Sequence, residues 1–567
     1  MDDQSLALLG DIPRFSDLSF APCPEDHLLQ LTKDIQALIS QEKGGEEAAR
    51  SLLSFQQILL NQQSQDNYQR ICQALQGDPK ESSQTLPPDA DTSLPFSQAK
   101  ATVYRAIANY PYEAMEGSAE DMDLWSRAWR WSRFEELIPA VIWDRERKLV
   151  QALQGLNPSL LSLWQEVNQS AFPPDAQAAH EDRVVFFQAL LQQLKQEGPE
   201  RSKLCLELLT LRQQIAKTTG FAHYSDYHEA RRGKRSFGRK AELNFLQNFR
   251  AHFLPIWQEF KRQKDYRLGI GPEPWLDYFA LSQYGQVPLV LEGSDLRKQF
   301  IASLASLIGH PQHFLLSLMD KGYISYDSMV RDRLVSPSSL LMSVPASFLA
   351  LPLDGKRPLT QSFLDTGYAL ADISAMLNYH SLGSSRQDAY SKQLSAYIFL
   401  VLARRELAKY YGENADLAWD MAWAQQLQLS FLYGFFYMWE NRLYHMSGRL
   451  DPLRMRQAFQ KILTNQLGFL DLPQFSDEIL DLLWPYVFAC NLEAYQSLAP
   501  VLSLVTILTL HPQHLSRSLL SSKLNNFLLT NPGGAILDRL QEASLPDPFS
   551  QASLQKASFS FCDLLAL

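Results

Sequence analysis

Apolar positions along this chain recur at the three- and four-residue spacing of helices almost throughout. Between residues 27 and 76, Leu28, Leu29, Leu31, Ile35 and Leu38 open a stretch that reads as two or three amphipathic helices, because side chains at that spacing share one face. The pattern then stops. Residues 78–97, DPKESSQTLPPDADTSLPFS, are rich in Pro, Ser and Asp and carry no apolar period, which predicts a linker or long loop. Helical spacing resumes over 98–166, around Trp125, Trp129 and Trp131, and breaks at Pro173 and Pro174. Long helices are predicted over 181–265, then less regular chain over 267–297, with Gly269, Gly271, Pro272 and Pro274. One segment, 334–356, reads as sheet, with Leu, Val, Met and Phe mixed with Ser and Pro before the turn pair Asp354-Gly355. Helices are predicted from there onward almost without a break. The fold class is therefore mostly α with one small β-sheet. Internal repeats, a P-loop, G-x-G-x-x-G and G-x-S-x-G are all missing from the sequence, and strands are too few for a doubly wound sheet.

Composition narrows the class. The 567 residues are 46% hydrophobic and 20% charged, as in a globular protein with a large core. A net charge of −10 argues against a nucleic-acid-binding surface, which is normally basic. Cys23, Cys72, Cys205, Cys490 and Cys562 form no C-x-x-C pair and no regular spacing. That is neither a disulfide framework nor a zinc knuckle, and a reducing cytosol is the simplest setting. The opening MDDQSLALLG has acids where a signal peptide carries Lys or Arg. The most apolar stretch, Leu498 to Leu510, is interrupted by Pro500, Ser503 and Thr506 and is too short to span a bilayer. A soluble cytoplasmic protein with no membrane or nucleic-acid partner is expected.

Specific motifs appear from residue 211 onward. The segment 211–237, LRQQIAKTTGFAHYSDYHEARRGKRSF, places Ile215, Ala216, Gly220, Phe221, Tyr224, Tyr227, Arg232 and Arg235 in a pattern that resembles the oligoendopeptidase F and thimet oligopeptidase family of zinc peptidases. Phe249-Arg250 and Pro255 follow in place. In 346–371, Phe348, Ala350, Leu353 and Gly355 resemble that family's strand and turn, and Gly367, Ala369 and Leu370 the end of its zinc helix. Tyr433-Gly434, Trp439 to Tyr444, and 525–548 resemble later blocks. These matches fall in the family's order over roughly residues 180 to 550, which sets them apart from a chance motif hit. The resemblance implies a helical ellipsoid with a small sheet beside a central channel, a peptide lying along the sheet edge and the zinc helix facing it. Residues 1–180 form an N-terminal helical region and 181–567 the peptidase-type domain.

The chemistry of such a peptidase needs three metal ligands and an open position for water. Two His at i and i+4 share a helix face, and the Glu between them takes a proton from the metal-bound water. In this chain the motif reads Leu364-Asp365-Thr366-Gly367-Tyr368. The resemblance puts Leu364 and Tyr368 at the two His positions and Asp365 at the Glu. In YSKQLSAYIF the third ligand falls on Lys392, or on Gln393 with a one-residue shift. A further family His falls on Asn441, another near Tyr486, and Tyr495 stands near a family Tyr that holds the substrate carbonyl. The family's Gly-Gly before the substrate strand is Ser338-Ser339. Losing all three ligands together is hard to attribute to a slip of alignment. Leu364 and Tyr368 instead read as an apolar i, i+4 pair filling the old pocket.

Other residues offer little replacement. The chain has no H-x-x-x-H pair; His223 and His228 are five apart, and the pairs His310/His313 and His511/His514 each flank a proline. Asp365, Asp372 and Asp388 read as solvated or capping carboxylates, and Arg231, Arg232, Lys234, Arg235, Arg239 and Lys240 as a solvated helix end or ion-pair partners. The expected protein is a non-catalytic relative with no metal or other cofactor. It would bind peptides or a protein partner in the former channel through Phe348, Ala350, Leu353 and Tyr495, with Ser343–Asp354 as an open strand edge. Two alternatives stay open. One is an active oligopeptidase with an unorthodox metal site, helped by His380; the other is a scaffold with a closed channel.

Overall fold

The structure is a computed structural model. It describes residues 13–18, 25–40, 46–76, 102–104, 137–156, 176–232, 237–268, 287–308, 318–334, 338–341, 346–354, 357–378, 388–446, 450–470, 472–490, 492, 497–530 and 535–565. The expected linker at 78–97, Trp125, Trp129, Trp131, Pro173, Pro174, Gly355, His380 and Tyr495 lie outside those residues.

The N-terminal region contributes α1 (Glu25–Ser40), α2 (Glu46–Gln76) and α3 (Ala140–Gly155). The long helices α4 (Ala176–Thr218), α5 (Tyr224–Arg232) and α6 (Arg239–Leu268) follow, then α7 (Gly293–Ile308). The strands are β1 (Ile324–Ser325), β2 (Ser338–Leu341) and β3 (Ala346–Ala350), with the short α8 (Ser328–Arg333) after β1. The rest is helical: α9 (Leu359–Asn378), α10 (Ala389–Ala403), α11 (Ala415–Tyr444), α12 (Pro452–Leu467), α13 (Asp477–Ala489), α14 (Leu498–Thr509), α15 (Arg517–Leu528), α16 (Ile536–Glu542) and α17 (Gln551–Leu565).

Starts and interiors follow local chemistry. Asp388, Asp451, Ser476 and Ser516 cap α10, α12, α13 and α15, each accepting a first-turn N–H. Every residue of α14 is buried, so the run read as the chain's most apolar stretch is the central core helix. Among the described residues, no helix is long and apolar enough to cross a membrane. α14 packs against α10, α11 and α17, and α10 lies against α9. Arg539 of α16 anchors the start of α10: its Nη1 donates to Asp388 Oδ2 at 2.9 Å and Ser391 Oγ at 2.8 Å. The N-terminal region shares this core. Arg212 of α4, buried, donates to Glu146 of α3 at 2.8 Å and to the Tyr444 hydroxyl of α11. Burial works against the Arg212 charge, but Tyr224, Tyr444 and Glu146 outweigh it and hold its pKa above the ordinary guanidinium value.

The sheet order is β1-β3-β2. β3 runs parallel to β1, with Ile324 opposite Leu349, and antiparallel to β2, with Ser338 opposite Leu349. β1 lay outside the predicted sheet segment because two residues carry no readable period. It forms because Leu349 and Leu351 N–H donate to Tyr323 and Ser325 carbonyls, both at 2.8 Å. The arrangement corrects the expectation of an open edge over Ser343–Asp354. Within that segment β3 pairs with β2 over 346–349 and with β1 at 349–350, and 342–345 lies outside the described residues. Phe348, Ala350 and Leu353 of this segment are all buried. Asp354 does end the segment, accepting from Ser328 N–H at 2.9 Å and so tying it to α8.

The contact that brings α9 onto α10 is made at Gly367. A Cβ there would stand 2.6 Å from Phe399 Cβ and 2.7 Å from both Ala396 Cα and Ser395 O. Two of those atoms are backbone and cannot rotate away. In an exposed helix Gly→Ala stabilises by about 1 kcal/mol. Gly367→Ala is expected to reverse that sign and destabilise by about 1–3 kcal/mol, read by urea denaturation against wild type.

Candidate functional site

The helix that would carry the metal motif, α9, starts under tight local control. Leu359 N–H donates to the Tyr411 hydroxyl at 3.1 Å, and Ser362 Oγ donates to the Pro352 carbonyl. This fixes the helix beside the end of the sheet segment and sets the rotation of every later residue. Leu364 is then turned inward and belongs to the core.

Asp365 is also buried, contrary to its reading as a solvated carboxylate. Arg331 of α8 donates Nε to Asp365 Oδ2 at 3.1 Å, and Gln361 donates to Oδ1 at 3.0 Å. Both oxygens of the would-be general base are thus engaged. One turn beyond Tyr368, buried Asp372 meets Lys392 of α10, with Nζ 2.8 Å from Oδ2. The same ammonium lies 5.2 Å from the centre of the Tyr368 ring, within range of a cation–π contact. Asp388 is the one of the three carboxylates that caps, as expected.

The structure therefore brings Tyr368 and Lys392 together, with Leu364 and Asp365 on the same helix as Tyr368. Of the two candidates for the third position, Lys392 reaches α9. Gln393 instead meets the hydroxyl of Tyr397, whose pKa burial drives far above that of an ordinary phenol while Gln393 and Ser430 bonds oppose the rise. Tyr433 of α11 stands at the same place: burial and then nearby Tyr368 raise its pKa, and Arg331 pulls it down.

Two other expected positions lie elsewhere. Asn441 is buried and its Oδ1 accepts from Arg239 Nε at 3.1 Å and Nη2 at 2.8 Å. Its carbonyl oxygen is 2.8 Å from His445 Nδ1, and the His445 ring lies 4.4 Å from that of His223. Tyr486 sits between α4 and α13, under the Arg201 guanidinium at 5.5 Å and beside Cys490. Burial, foremost, raises its pKa.

Whether these residues fit a zinc ion follows from their atoms. Leu364 has no lone pair, Lys392 is a cation already held by Asp372, and Asp365 is committed to Arg331 and Gln361. Tyr368 offers a single phenol oxygen, which does not meet the three-donor requirement. Among the described residues no group of three His, Cys, Asp or Glu could hold a metal. Sequence reading missed Arg331 and the role of Asp372. Asp372 carried a signal, since it lies four residues after Tyr368 on the same helix face. Arg331, 34 residues before its partner, carried none.

Neither a family model nor a curated protein matches this chain in sequence. Its fold is matched over nearly its whole length. A protein assigned as oligoendopeptidase F superposes with a TM-score of 0.79 at 12% identity, covering 98% of this chain and 99% of the other. PZ peptidase A, determined with an inhibitor, gives 0.78 at 11% identity and the same coverage. A Bacillus anthracis str. Ames protein assigned as oligoendopeptidase F gives 0.71 at 13%, covering 98% of each chain. The chain has an oligoendopeptidase F-type fold: mostly helical, with a small sheet beside the helix that in this chain runs Leu359–Asn378.

The Lys392–Asp372 pair gives a stability test. Lys392→Ala leaves a buried carboxylate uncompensated and is expected to cost about 3 kcal/mol, whereas removing both partners costs less than the two single losses added. A double-mutant cycle in urea measures both. His445 gives a pH test. Burial, then the neighbouring Arg239 and His223, lowers its pKa despite the Asn441 carbonyl bond and Asp226. The neutral ring is therefore favoured in the fold. Its contribution is present above the ordinary imidazole value near 6.5 and is lost as pH falls through the lowered folded value. Stability measured against pH should fall less steeply below about pH 6.5 in His445→Gln.

Proposed function

We propose that this protein keeps the oligoendopeptidase architecture without its hydrolytic chemistry and acts by binding peptides or a peptide-like segment of a partner. The observation that carries the reading is the ion-pair arrangement on α9. The position expected to supply the third metal ligand holds an ammonium, 2.8 Å from Asp372, and the position of the general base holds a carboxylate bound by Arg331. A catalytic zinc brings the pKa of its bound water from 15.7 to about 7. An ammonium and a guanidinium paired to carboxylates offer no equivalent. The fold's peptidase neighbours support a peptide as the class of ligand.

The test combines metal and activity. After incubation with zinc and gel filtration, metal analysis should find far less than one zinc per chain, and mass spectrometry of a mixed peptide pool should find no zinc-dependent cleavage. Roughly one retained zinc per chain together with chelator-sensitive cleavage would overturn the reading.

A further inference from the structure

Phe348, expected to face a ligand, is covered by the chain's own N-terminal segment. Residues 13–18 form a strap with one 3-10 turn, Phe15–Asp17. Within the strap only Phe15 and Leu18 are buried, while Pro13, Arg14, Ser16 and Asp17 are exposed. The Phe15 ring is held by three others. It lies 5.1 Å from Tyr68 of α2, 5.4 Å and edge-on to Tyr323 before β1, and 5.1 Å from Phe348 of β3. Two bonds hold the strap by its main chain: Phe15 N–H donates to the Lys321 carbonyl at 2.9 Å, and the Tyr323 side-chain hydroxyl donates to the Pro13 carbonyl at 3.0 Å. The Lys321 carbonyl is presented by a turn at Gly322, whose φ of +81° favours glycine.

This is how a linear peptide is recognised: two apolar anchors three residues apart, polar residues between them facing out, and main-chain hydrogen bonds that ask nothing of the other side chains. The pocket walls come from three separate elements, and the strap pairs with no strand among the described residues. We propose that the Tyr68–Tyr323–Phe348 pocket is a receptor for a peptide bearing an aromatic residue and an aliphatic one three positions later, and that the Pro13–Leu18 strap is its tethered occupant. The ligand class rests on the peptide-binding reading above. The site itself does not involve α9, so zinc and cleavage measurements leave it untouched.

A tethered segment acts at an effective concentration on the order of millimolar. A free peptide with a Kd of about 10 µM for the open pocket would then be held off about a hundredfold by the intact chain. The probe is a fluorescent peptide copying residues 11–18, DIPRFSDL, titrated by anisotropy into the intact chain and into a chain lacking residues 1–18. The shortened chain should bind it about a hundredfold more tightly than the intact chain, and a probe with alanine for the phenylalanine should bind neither. Where the shortened chain fails to fold, the intact Phe15→Ala variant takes its place and should also gain affinity for the probe. No binding to either folded variant, or equal binding to the variant and the intact chain, overturns the proposal. Either result would leave the metal-free reading of α9 standing, because that is judged by zinc content and cleavage.

Discussion

The close approach of α9 to α10 at Gly367 governs what the rest of the candidate site can be. With Phe399 Cβ and the Ala396 and Ser395 backbone within 2.7 Å of where a Cβ would sit, the two helices touch nearly backbone to backbone. Side chains flanking such a contact have little space between the helices and must point along the seam. Tyr368 and Asp372 on one helix and Lys392 on the other therefore meet. At a wider spacing a lysine at 392 could extend to solvent. Here it is left 15% exposed and its charge is met by Asp372. The burial of a charge pair is poor evidence for stability, since desolvation offsets most of the attraction. Its consequence is specificity of registry: slip α9 by one turn and two carboxylates lose their cations at once.

Arg331–Asp365 extends the same logic to the sheet. α8 begins where Ser328 N–H meets Asp354, so the arginine that holds Asp365 is positioned by the carboxylate that closes the β3 segment. Sheet, α8, α9 and α10 are thereby joined by ionic and capping contacts. On the far side, Glu146, Arg212, Tyr224 and Tyr444 tie α3, α4, α5 and α11 by another buried polar network. Helices from the first and last parts of the chain share one core on these terms.

What could be read in the sequence divides along the range of the interactions. Helical periodicity and the apolar run that became α14 express contacts repeated every few residues, so they are visible in one dimension; Gly367, Ala369 and Leu370 stood out only through the family resemblance. Leu364 and Tyr368 stood out because the resemblance, through a motif of fixed spacing, puts them at the two His positions. The partners of the remaining charges were not. Asp365 looked solvated because Arg331 comes from another element, and Asp372 because Lys392 comes from the next helix. Of the sheet, β2 and β3 fall in the segment read as strand, and β1 alone was missed: it is two residues long, and its pairing with Leu349 and Ala350 gives β3 a neighbour on its second side. Phe15 gave no signal either, since one aromatic residue in a short segment has no period.

A metal ion in a helical cleft does two separable things: it joins helices and it polarises water. In this chain the first is carried by side chains. Leu364 packs into the core, Lys392 bridges α10 to α9, and Arg331 bridges α8 to α9. None of these contacts needs an open coordination position, so nothing in the packing would be relieved by admitting one. The second depends on charge: two cations matched by two carboxylates carry no net charge, whereas a dication held by neutral imidazoles and one carboxylate does. At the same place the Tyr368 and Tyr433 rings stand beside the partly exposed side chains of Arg331 and Lys392. In general, holding a peptide without polarising its scissile bond is what separates binding from hydrolysis.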